Sequence, residues 1–239
     1  MRRITALPYA ADVPEPLPLF PLNTVLVPGL VLPLHIFELR YRELVEELLA
    51  NPDEDAREFG IVAVRDGRDV DRDGILALYP VGTSVVLRQA ERLPDGRFDI
   101  VTTGRRRFRI SSIDTAASLI RGEVDFLDDV TDPGDAILAE QVALRFAAYR
   151  LALSGRVVDE DELAIDVVEE LPDDPVVLSY LVTAAMVLPA QERQDLLAAD
   201  TTALRLTAER ALLWRETGLI SALGAVPAID ITNAAPSMN

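Results

Sequence analysis

The chain contains no lysine; all 23 of its basic residues are arginine. That absence removes the phosphate-gripping lysine of nucleotide-binding loops, Schiff-base chemistry and any Ser–Lys catalytic dyad. Cysteine is missing too, which excludes disulfides, thiolate nucleophiles and Cys-ligated metal. Histidine occurs once, as His35. A His-rich metal site is therefore impossible, and a Ser-His-Asp triad would have to use a residue set inside an apolar run, where a lone His is more often a bonded structural residue. Aromatic residues make up 5% of the 239 residues against 49% hydrophobic overall, so the core is expected to be mainly aliphatic. Positive charge is scarce. Forty acids give a formal net charge of −17 and a pI near 4.4, a field that opposes nucleic-acid backbones and anionic membranes. The motifs G-x-S-x-G, G-x-G-x-x-G and H-E-x-x-H are all absent.

One long apolar run is present. Leu17 to Phe37, "LPLFPLNTVLVPGLVLPLHIF", has no acid and no base except His35. By length it could span a bilayer, but Pro18, Pro21, Pro28 and Pro33 interrupt it. Each would cost about 3 kcal/mol inside a helix, through a missing N–H and a clash with the preceding turn. The run is expected to form short buried strands at Leu17–Phe20, Thr24–Val27 and Leu30–Phe37, with proline at strand starts or edges. The opening "MRRITALPYAADVPEP" lacks the continuous apolar core of a signal peptide, so a cytoplasmic protein without a membrane segment is expected.

Beyond the run, Glu38–Ala50 carries an apolar stripe of Leu39, Leu44, Val45, Leu48 and Leu49 and reads as an amphipathic helix stopped by Asn51-Pro52. Phe59–Arg65, the segments from Ile75 to Ile113 and Leu119–Val130 read as strands, with a hairpin turn at Pro94-Asp95-Gly96. From Asp135 the period changes: Leu138, Val142, Phe146, Tyr149 and Leu153 recur at helical spacing. Helices follow at Val176–Leu188, from Pro189 to Ala199, and at Thr201–Thr217, the last ended by Gly218; a short one is expected between Asp159 and Leu171. The fold class is α+β, with its boundary near Thr131–Gly134. Residues 1–131 form the β-rich part, 132–223 the helical part, and 224–239 are expected to be a flexible tail.

Two clusters invite a chemical reading. "DVDRDG" at Asp69–Gly74 matches the first half of a calcium loop, but the position that should hold a bidentate glutamate is Pro80, so no metal is expected. "GRRRFRI" at Gly104–Ile110 would place Arg105, Arg107 and Arg109 on one strand face and Arg106, Phe108 and Ile110 on the other. That suits either a solvated face paired with surplus acids or a site for an anion or carboxylate. The carboxylate pairs elsewhere lie in hydrophilic stretches and support no glycosidase-like site.

Taken together, "PLFPLNTVLVPGLVLPLHIFELRYREL", "FGIVAV", "VGT" at Val81–Thr83, "GRRRFRI" and "RQDLLAADTTALRL" at Arg193–Leu206 resemble the N-terminal substrate-binding (LON) domain of Lon proteases. The resemblance covers most of Leu17 to Glu216. It implies a PUA-like pseudobarrel followed by a helical bundle. Lon's phosphate-binding lysine and Ser–Lys dyad have no counterpart here, so the chain reads as a standalone LON-domain protein without ATPase or peptidase modules. The expected function is binding of protein or peptide, with no catalytic residue and no cofactor, through a sheet edge or the groove between barrel and bundle. Candidate contact residues are His35, Phe37, Tyr41 and Arg106. Phe37 is expected in the core and the Tyr41 hydroxyl near water. The alternatives are a small hydrolase with its site in that groove and, by analogy with PUA-like folds, an RNA-binding protein; the charge of −17 opposes the second.

Overall fold

Proline decides where the first strands can lie, because a ladder tolerates it only where no donor is needed. In the computed structural model, which describes residues 15–65, 77–114, 116–154 and 171–223, these strands are β1 (Glu15–Leu22) and β2 (Val31–Ile36). Helix α1 (Leu39–Ala50) follows, then β3 (Glu58–Ala63), β4 (Val81–Arg92), β5 (Phe98–Asp114) and β6 (Arg121–Leu127). The strand order is β2-β5-β4-β3-β1-β6, and a further β5–β6 pairing closes the sheet into a barrel. The β1–β3 pair is parallel and the rest are antiparallel. Long β5 makes closure possible. One of its edges pairs with β4; the other pairs with β2 over Phe98–Thr103 and with β6 over Arg107–Asp114. Phe108 fills the barrel interior over Gly60 and Gly82, where a Cβ would come within 2.7 and 2.6 Å of its ring; only glycine permits that approach.

The helical half contains α2 (Asp135–Ser154), α3 (Pro175–Ala185), α4 (Ala190–Leu197) and α5 (Thr202–Leu223). Pro175 opens α3 at a position needing no donor, and the Asp174 carboxylate accepts from the amides of Val176 and Val177. Val142, Phe146 and Tyr149 of α2 pack with Leu178 and Val182 of α3 and with Leu206, Leu213 and Ile220 of α5.

Three sequence expectations need correction. Thr24–Val27 is not a strand; Val25, Leu26 and Val27 are buried in irregular backbone, with the Thr83 hydroxyl donating to Leu26 O at 2.7 Å. Gly218 does not end the last helix. It is not among the glycines with positive φ, and the buried Ile220 beyond it continues the helical stripe. Third, Arg107 is not on a solvated face. It is 2% exposed and reaches into the helical half, where its guanidinium donates to Leu197 O, Ala199 O and Asp128 O at 3.0, 2.6 and 2.9 Å. It also pairs with Asp129 at 3.0 Å, an acid shared with buried Arg205 at 3.1 Å and with the Tyr180 hydroxyl. The calcium-like segment Asp69–Gly74, the short acidic helix expected before Leu171 and the tail 224–239 lie outside the described residues.

This network is one part of a filled contact between barrel and bundle. Val25, Val27, Ala63, Tyr79 and Val81 from the barrel side pack on Tyr180 and Leu197. Gln194 donates to Val81 O at 2.9 Å, and the Tyr79 hydroxyl donates to Gln191 at 3.0 Å. Beside it Glu209, fully buried, accepts from the Thr183 hydroxyl at 2.6 Å. Burial pushes its carboxyl up to about 8 from an ordinary 4.5, against the opposing pull of Thr183 and Arg205. The folded state therefore binds this proton more tightly than the unfolded state. The stabilisation is complete below 4.5 and is lost as pH rises to about 8. Glu209→Gln is expected to flatten that decline, leaving the variant about 1–3 kcal/mol more stable relative to the parent at pH 8.5 than at pH 4.5. Urea melts of both proteins across that range check it.

Candidate functional site

With the barrel–bundle contact packed, the open main chain lies at β2. Among the described residues this strand has a neighbour on one side only, β5. Its inward residues Leu32, Leu34 and Ile36 pack with Tyr41, Leu44, Phe98 and Ile100. Alternation then sends Val31, Pro33 and His35 to the opposite face. Val31 is 61% exposed, and the flanking Leu30, Phe37 and Leu39 are 36%, 39% and 65% exposed. An edge strand carrying a run of exposed aliphatic and aromatic side chains is the kind of surface that binds another chain.

His35 is fixed at one end of this edge. Its Nδ1 is 2.6 Å from Asp99 Oδ1, and Arg97 Nη1 lies 3.1 Å from its Nε2. With Asp99 accepting and the Arg97 guanidinium donating, the ring is held as the neutral Nδ1–H tautomer. Arg97 is anchored in turn on Asp95 at 2.6 Å. That backbone and side-chain bonding to Arg97 holds the exposed Asp95 carboxyl below its ordinary range. Among the described residues no serine or threonine hydroxyl is bonded to His35. The His35 and Phe37 rings stand 6.4 Å apart, so the edge ends in an aromatic corner.

The other two candidates do not join it. Tyr41 is 4% exposed, stacked on Phe20 with ring centroids 4.0 Å apart. The expected roles are reversed: Phe37 faces solvent and Tyr41 is core, because α1 begins at Leu39 and its first turn rotates Tyr41 inward with Leu44 and Val45. Arg106 lies flat on Phe126 at 3.5 Å and meets Glu58 at 3.8 Å. Its neighbours are also engaged, Arg105 with Glu58 and Arg109 with Asp200. Leu30, Val31 and Leu39 were missed because an apolar run reads as core; Pro33, confined to edges by its missing donor, was the signal that could have found them. Among the described residues no group of His, Asp and Glu is placed to hold a metal, and no helix is long and apolar enough to cross a membrane.

Residues 16–215 match the family model described as the ATP-dependent protease La (LON) substrate-binding domain. The chain belongs to this LON domain family. Among curated relatives, Lon protease 1 of Thermus thermophilus is 30% identical over 204 residues, covering 84% of this chain and 24% of that protein. Lon protease 2 of Syntrophobacter fumaroxidans is 28% identical over 190 residues, covering 77% and 22%. The chain thus spans about a quarter or less of the length of these proteases. Among solved structures, the Lon N-terminal domain protein from Xanthomonas campestris aligns with a TM-score of 0.57 at 25% identity, covering 84% of this chain and 98% of that one. The N-terminal domain of Mycobacterium avium complex Lon protease aligns at 0.55 and 20% identity, covering 85% and 98%, and shares the fold. The family is described as a substrate-binding domain, and the two solved domains share the fold of this chain.

Proposed function

We propose that this LON domain is a non-catalytic recognition module that holds unfolded or extended polypeptide in the cytoplasm, using the β2 edge of the β-rich part (1–131) as its contact surface. The helical part (132–223) braces the barrel through Tyr180, Leu197 and the acceptors of Arg107. The observation that carries the reading is the row of exposed apolar side chains on a strand with one free edge. Family membership supports polypeptide as the ligand class, since a protease's recognition domain meets protein substrates. The acid-paired arginines of β5 support leaving nucleic acid out of the proposal.

Fluorescence polarisation with labelled, unfolded casein tests it. Val31→Asp combined with Phe37→Asp is expected to weaken binding by about 2 kcal/mol or more, with the melting temperature nearly unchanged because both positions are exposed. ATP should not alter the affinity, and casein should remain intact. Normal binding by the folded double variant would move the surface elsewhere. Cleavage by a preparation free of other proteases would overturn the non-catalytic reading.

A further inference from the structure

We infer that the client enters as an added β-strand on the open edge of β2, in a register set by Pro33; the inference rests on the polypeptide reading above. Antiparallel neighbours alternate between residues whose main-chain groups face the partner and residues whose groups face away. Gly104 N donates to Leu30 O at 2.8 Å, which fixes the phase. Leu32, Leu34 and Ile36, opposite Thr102, Ile100 and Phe98, therefore turn their amides and carbonyls toward β5. Val31, Pro33 and His35 turn theirs outward. The edge offers a donor and an acceptor at Val31, an acceptor alone at Pro33, and a donor and an acceptor at His35. Charge is a common guard of such edges, and Val31–Ile36 contains no Asp, Glu or Arg.

Pro33 also decides between a client and a second copy of the chain. If two β2 edges met antiparallel about a two-fold axis, Pro33 would face Pro33 and both bonds there would be lost. Shifting the register by one pair puts Pro33 opposite Val31 twice, or opposite His35 twice, and again forfeits two. A foreign strand forfeits one. The occupant is therefore a proline-free extended segment of about five residues or more, with apolar side chains to meet Val31 and Phe37.

The test uses a labelled ten-residue peptide of alternating valine and threonine, in three forms: unmodified, N-methylated at every second amide so that one edge is blocked, and N-methylated at every amide. The unmodified and one-edge forms are expected to bind within about twofold of each other, and the fully methylated form at least tenfold more weakly, since its pairing donors are gone. Pro33→Val supplies the missing donor and is expected to tighten peptide binding about three- to tenfold and to promote self-association in sedimentation. Equal binding of all three peptides, with the Val31→Asp and Phe37→Asp double variant still impaired, would overturn strand addition while leaving the polypeptide site standing. Unchanged peptide affinity in folded Pro33→Val would overturn the register. Failure of every peptide to bind, or indifference to the double variant, would sink both readings.

Discussion

Replacing Arg107 with alanine is expected to destabilise the protein by about 3–5 kcal/mol, more than any surface substitution could. The guanidinium makes its bonds almost wholly out of water. Its loss would leave Leu197 O, Ala199 O and Asp128 O without that donor and withdraw one of the two cations beside Asp129. Truncating one partner of a buried pair is costly because the remaining groups stay desolvated and unanswered. Arg107→Lys should recover only a minor part of the loss, since one ammonium cannot reproduce a planar fork that reaches several carbonyls. Urea titrations give the magnitude. Hydrogen exchange should show the end of α4 and the connection to α5 opening first, because two of the broken bonds end there. A loss below about 1 kcal/mol would mean that the apolar contact of Tyr180 and Leu197 with the barrel suffices alone.

Tyr41→Ala is expected to cost about 3–5 kcal/mol, in the range of large aromatic deletions from a core. The ring stacks on Phe20, and the Arg40 guanidinium covers it 4.6 Å from the centroid. Burial raises the hydroxyl's pKa despite the nearby Arg40 charge. Tyr41→Phe keeps the stack and should stay within about 1 kcal/mol of the parent. Client binding by Tyr41→Ala should fall only in proportion to the unfolded fraction, which separates this residue from Val31 and Phe37. Equal stability of Tyr41→Ala and the parent would show that the Phe20 stack contributes nothing.

The periods that distinguish strand from helix made much of this architecture legible. Short apolar runs bounded by turn signals marked the strands from Phe59 onward, and alternation marked Leu119–Val130. The three- and four-residue spacing of Val142, Phe146 and Tyr149 gave α2, and the prolines excluded a spanning helix. What periodicity could not supply was partner identity. Arg105, Arg107 and Arg109 are equivalent by alternation, yet only Arg107 is buried, because the end of α4 and the connection after it arrive some 90 residues later to receive it. Likewise the apolar run around β2 reads as uniformly internal. The face of β2 that lacks a neighbour depends on where β6 takes over the edge of β5, a fact of topology with no local signature. At the candidate site the sequence reached His35 and Phe37 but placed the latter inside, since one turn of phase at the start of α1 decides whether Phe37 or Tyr41 faces the core.

The order in which the barrel's strands leave the ribosome has a kinetic consequence. β1 is the first of the described strands to be made; its Leu19–Leu22 end waits for Gly60–Ala63 of β3, and its Glu15–Pro18 end waits for Arg121–Val124 of β6. Contacts of that sequence separation form slowly, and an apolar strand waiting for them is exposed to wrong partners. Pro16, Pro18 and Pro21 in β1 and Pro33 in β2 remove donors from the two segments that wait longest. Missing donors of this kind are what limits stray pairing of an apolar stretch until its partner strands, here β3, β5 and β6, have been made.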